Sequence, residues 1–224
     1  VRTAYYIHGF ASSARSTKAA LFAERLGPAG MTVRCPDFNE PSFETLTTSR
    51  MVSQLEADIA AQPPGPIAII GSSLGGFVAV HAALRQQARI DAGEQPAHRI
   101  DRVVLLAPAL EFGRSSYGTV TPAQVAQWRE TGWLDVFHYG DNRPARVGYA
   151  LLEDAQTYNS FAAMLKVPTL VFQGSRDASV EAAMVQRYAS KQPFVALRML
   201  DDDHLLMGNI QTILRETADF FGAV

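Results

Sequence analysis

Ile67-Ala68-Ile69-Ile70 runs directly into Gly71-Ser72-Ser73-Leu74-Gly75-Gly76, and this junction restricts the fold more than any other part of the chain. An unbroken apolar run suits a strand buried on both faces, as in a parallel sheet covered by helices on each side. The glycines that follow fit a strand-to-helix turn too tight for side chains. Leu74 to Gln87 reads as the helix that leaves it.

The rest of the chain repeats this rhythm. Thr3 to Ile7, Met31 to Cys35, Arg102 to Ala107, Thr169 to Phe172 and Phe194 to Leu200 are short β-branched or aromatic runs. Between them lie helical patterns at residues 16–27, along Met51, Val52, Leu55 and Ile59, and over 179–190 and 209–221. Such alternation predicts a parallel sheet with helices on both faces, and 224 residues suit a single domain over 1–224. In these sheets, sites form beyond the carboxyl ends of the strands.

One stretch, 109–166, is far longer than a crossover requires. Thr121-Pro122-Ala123-Gln124 carries a helix-start signature, and Trp133 to Tyr139 and Arg146 to Leu151 flank a hairpin turn at Gly140-Asp141-Asn142. Its aromatic residues Trp128, Trp133, Phe137 and Tyr139 predict a cap insertion that binds substrate. A packed decoration that merely covers the sheet is the alternative.

Several function classes are disfavoured. A net charge of −2 creates no field that would recruit nucleic acid or an anionic membrane. No apolar run approaches the ~18 residues of a membrane span. Val1 to Phe10 lacks a signal-peptide pattern, so a cytoplasmic location is expected. Cys35 is the only cysteine, which permits no internal disulfide, and it reads as a small apolar residue at a strand end.

Gly71-Ser72-Ser73-Leu74-Gly75 satisfies the G-x-S-x-G pattern of a nucleophile elbow in the required strand-to-helix context. A P-loop would need Lys and then Ser or Thr where Phe77-Val78 follow Gly76, and a dinucleotide fingerprint would need Gly in place of Ser73. A serine hydroxyl requires a base. His81 reads as a packing or helix-capping residue, His98 and His138 as solvated, and His8 as part of a turn. His204 follows the last strand and Asp201-Asp202-Asp203, at the carboxyl edge of the sheet, and is the candidate base. Asp177, just past the fifth strand, is the candidate acid, with Glu111 as the one replacement.

With these residues in that order, the chain resembles the α/β-hydrolase superfamily over nearly its whole length. His8-Gly9-Phe10 is similar to the family's H-G-x segment, and Gly174 to Val180 to its G-x-x-D-x-x-V stretch around the acid. The resemblance implies an oxyanion hole made by the backbone N–H groups of Phe10 and Leu74. It further implies a chain starting at the family's third strand, leaving six parallel strands in the order 2-1-3-4-5-6. The elbow resembles those of small bacterial carboxylesterases and mitochondrial acyl-protein thioesterases. The serine argues against haloalkane dehalogenases and epoxide hydrolases, which place aspartate there.

The expected function is hydrolysis of a small-molecule acyl ester or thioester through an acyl-enzyme on Ser73, with no metal or organic cofactor. A peptidase or acyltransferase using the same triad, or a non-catalytic ligand-binding relative, are the alternatives.

Overall fold

The computed structural model of the chain describes residues 2–114 and 120–223, so residues 115–119 of the expected insertion lie outside the described residues. Six strands form the main sheet: β1 (Arg2–Ile7), β2 (Met31–Arg34), β3 (Gly65–Ser72), β4 (His98–Leu106), β7 (Thr169–Gly174) and β8 (Val195–Leu200). All pair in parallel, in the order β2-β1-β3-β4-β7-β8. Counting only sheet strands, this is the expected 2-1-3-4-5-6.

Strand periodicity sorts the core into two layers. Tyr5 and Ile7, Ile67 and Ile69, and Val103 and Leu105 face one side. There they meet α2 (Thr48–Ala60), α3 (Leu74–Asp91) and α6 (Ala182–Ser190) through Val52, Leu55, Phe77, Val80, Val185 and Tyr188. The alternate residues, including Tyr6, Ile70, Val104, Leu106 and Phe172, face α1 (Thr17–Leu26) and α7 (Ile210–Phe221) through Phe22, Leu26, Ile213 and Leu214. Successive side chains on a strand point to opposite faces, so continuous apolar runs fill both layers.

The insertion folds as α4 (Pro122–Thr131), an antiparallel hairpin of β5 (Trp133–His138) and β6 (Arg143–Gly148), and α5 (Ala150–Gln156). Thr121 and Gln124 form the capping box signalled by the sequence. The hairpin differs from expectation in its second arm, which starts at Arg143 because Asn142, at φ 52°, completes the turn. Leu151 consequently leaves the hairpin and is buried within α5. β4 also starts earlier than expected, at His98, which pairs with Gly65. No helix among the described residues is long and apolar enough to cross a membrane.

Candidate active site

The turn after β3 explains its own glycines. A Cβ at Gly71 would come within 2.5 Å of the Gly75 carbonyl oxygen, and one at Gly75 would overlap the Ile7 carbonyl oxygen. The elbow and β1 can approach this closely only without those side chains. Ser73 sits at φ 53° and ψ −117°, a strained conformation for a residue with a Cβ. It is held there because its N–H donates to the Leu106 carbonyl at 2.9 Å and its own carbonyl accepts from Ala109 N–H at 3.1 Å. Ala11, Ala107 and Leu206 also have positive φ, at 53°, 45° and 58°, so strained backbone collects in the loops at this sheet edge.

His204, in the loop after β8, spans the gap between serine and acid. Its Nδ1 lies 2.8 Å from Asp177 Oδ2 and its Nε2 lies 3.1 Å from Ser73 Oγ. Asp177 only accepts, so Nδ1 carries the proton and Nε2 is free to accept from the serine hydroxyl. The His204 side chain is 26% exposed, whereas that of Asp177 is fully buried. Burial by itself would raise the Asp177 pKa. The hydrogen bonds from His204, Val180 N–H and Ser179 N–H outweigh it and hold the carboxyl below its ordinary value. Glu111, the alternative acid, accepts from Arg187 at 2.7 Å.

His8 shapes the neighbouring turn. Phe38 N–H donates to its Nε2 at 3.2 Å, and its Nδ1 lies 3.0 Å from the Gly9 carbonyl oxygen, which fixes one tautomer. A Cβ on Gly9 would lie 3.3 Å from the Ser73 Cβ, so this turn packs directly on the nucleophile. Among the described residues, neither Phe10 N–H nor Leu74 N–H has a hydrogen-bond partner in the protein.

The four aromatic residues of the insertion divide. Trp128 is 2% exposed and its indole N–H donates to the Val147 carbonyl, so it forms part of the core beneath α4 and is not open to a substrate. Trp133 carries the Arg146 guanidinium 4.2 Å above its ring. Phe137 and Tyr139 pack edge-on at 5.3 Å on the outer face of β5, with Tyr139 77% exposed. Between them, His138 points inward, fully buried against Phe43 at 4.7 Å, and is not the solvated residue expected. Phe43 in turn packs on Phe10 at 5.5 Å, and Gly140 N–H donates to the Ala11 carbonyl, so the hairpin rests on the turn after β1. His98, also expected to be solvated, has its Nε2 2.8 Å from the Gln62 carbonyl oxygen.

Two polar residues beside the site escaped the sequence reading. Gln173, fully buried in β7, donates from Nε2 to Asp177 Oδ2 at 3.0 Å and to the carbonyls of Gly174 and Val180. Lys18, in the first turn of α1, places its amine 3.3 Å from Ser72 Oγ. The signal for Gln173 was an amide interrupting an apolar strand four residues before Asp177. Lys18 sits in an ordinary amphipathic helix and carries no such signal.

A model of an uncharacterised protein family, UPF0227, matches residues 3–222. No curated protein matches the sequence. Among solved structures, a candidate hydrolase from Agrobacterium vitis S4 is similar at 22% identity, covering 98% of this chain and 87% of that one, with a TM-score of 0.85. Ferulic-acid-bound Est1E from Butyrivibrio proteoclasticus follows at 18% identity over 99% and 88% of the two chains, with a TM-score of 0.79. Mouse α/β hydrolase domain-containing protein 10 is similar at 18% identity over 98% and 89%, with a TM-score of 0.75. At these identities the likeness establishes the α/β-hydrolase fold.

Proposed function

We propose that this chain, which belongs to the uncharacterised protein family UPF0227, is a serine hydrolase that cleaves carboxylic esters or thioesters. The carrying observation is the continuous chain from Ser73 Oγ through His204 to the buried Asp177 carboxylate, at 3.1 Å and 2.8 Å. A serine held in strained backbone at the mouth of a sheet, with an imidazole in reach, is suited to nucleophilic attack.

In the first step Ser73 Oγ bonds to the acyl carbon while His204 Nε2 takes its proton. Asp177 keeps the imidazole oriented and stabilises the imidazolium that results. The N–H groups of Phe10 and Leu74 hold the oxyanion, and the alcohol or thiol leaves with the proton from His204. Water then attacks the acyl-enzyme with the same histidine as base. The hairpin rests on the turn after β1 through Phe43 and the Gly140 N–H, which supports a role for the insertion as a cap beside the site. The ferulic acid bound to Est1E makes aromatic acyl esters a natural first series to assay.

The test is hydrolysis of p-nitrophenyl and thioester substrates of increasing acyl length by wild type and Ser73→Ala. Turnover that is lost in the variant supports the reading. Equal rates in the two proteins contradict it.

A further inference from the structure

The first turn of α1 sends an amine beneath the elbow. Lys18 Nζ lies 3.3 Å from Ser72 Oγ and 3.1 Å from the Leu205 carbonyl oxygen. These partners are the residue before the serine and the residue after the histidine. They hang from β3 and β8, which are separated in the sheet by β4 and β7. A single ammonium therefore joins two loops that the sheet itself keeps apart. Its own origin is fixed, because Ser16 caps α1 and Phe22 and Leu26 anchor the helix in the core.

The charges around it have a direction. Burial lowers the Lys18 pKa, and the carboxylates of Asp203, Asp177 and Asp202 oppose that by favouring the cation. Asp177 faces it from the loop after β7, and Asp202 and Asp203 from the loop after β8. The Tyr6 phenol of β1 interacts with Ser72 and Ser16, and burial pushes its pKa upward. Arg176 pairs with Asp201 on the exposed side of the acidic run. Lys18 thus lies in the field of the same carboxylate that bonds to His204 Nδ1.

We propose that Lys18 is a positioning residue of this site, whose amine clamps the His204 loop to the elbow through Ser72 Oγ and the Leu205 carbonyl oxygen. This rests on the serine-hydrolase reading.

The experiment compares wild type, Lys18→Met and Lys18→Arg as full chains, with folding checked by circular dichroism. The His204 imidazole signals are recorded by NMR at one pH, and kcat and KM are measured on a p-nitrophenyl ester. In Lys18→Met the His204 signals shift or broaden, because the loop is no longer tied to the elbow. Loosening of the clamp lowers kcat by about 10-fold while KM changes little. Lys18→Arg restores part of kcat. Should Lys18→Met not fold, Lys18→Gln gives the same comparison with a polar head retained. A folded variant with unchanged His204 signals and unchanged kcat overturns the inference. A wild type that hydrolyses no ester counts against the serine-hydrolase reading alone, because the NMR signals still decide whether Lys18 holds the His204 loop.

Discussion

Asp177 Oδ2 lies 2.8 Å from His204 Nδ1, and its side chain has no contact with solvent. Four donors, from His204, Gln173, Ser179 and Val180, converge on that one carboxylate. In the proposed mechanism its work is to fix one tautomer and one ring orientation, which a neutral amide of the same shape cannot do. Asp177→Asn should lower kcat/KM for an ester by about 10²- to 10⁴-fold. Because the folded pKa lies below the ordinary carboxylate value, the stabilisation by this group is complete above that value and is lost as pH falls through the folded one. Urea midpoints measured from pH 3 to pH 7 should therefore fall more steeply at the acid end in wild type than in Asp177→Asn.

In the proposed mechanism Gln173 would act through Asp177. Gln173→Leu removes the amide that donates to Oδ2 at 3.0 Å and leaves a side chain of similar bulk in β7. We expect kcat to fall by about 10-fold with KM unchanged, since the loss concerns the orientation of the base and not substrate binding. Steady-state kinetics with one ester suffices to check this.

Gly75 is the tightest point of the elbow. A methyl group there would overlap the Ile7 carbonyl oxygen and lie 2.7 Å from that of His8. Both obstacles are backbone, so relief requires β1 to move away from α3. Gly75→Ala should cost about 3 kcal/mol or more in urea denaturation, and the protein that remains folded should be inactive.

His81 makes stability depend on pH away from the site. It is buried against Phe77 and Tyr158, with Nε2 3.1 Å from Ser160 Oγ. Burial, aided by the charge of Arg114, pushes its pKa down to about 4. The unfolded chain thus binds a proton that the folded one refuses, and stability declines as pH drops from about 6.5 to about 4. Over that window the linkage amounts to about 3 kcal/mol. His81→Gln should flatten the decline in unfolding free energy between those pH values.

The sheet was legible because its strands are continuous apolar runs and its turns carry glycine; all six strands were expected within a few residues of where they lie. Serine, acid and base were candidates for the same reason, since each directly follows a strand end. The structure places His204 within hydrogen-bond reach of both Ser73 and Asp177. What escaped depends on three-dimensional neighbours. Trp128 and His138 belong to an insertion whose inward and outward faces are decided by contacts with Val147 and Phe43, and no local pattern encodes them. Lys18 meets Ser72 and Leu205 across 54 and 187 residues of sequence, a separation that periodicity cannot bridge.

The most direct test of the central claim is labelling of the purified protein with a fluorophosphonate probe, followed by peptide mapping. A single adduct on Ser73, absent in Ser73→Ala and strongly reduced in His204→Ala, is the result predicted. A folded wild-type protein that takes up no probe, or takes it up equally in all three forms, would contradict an activated serine at this elbow.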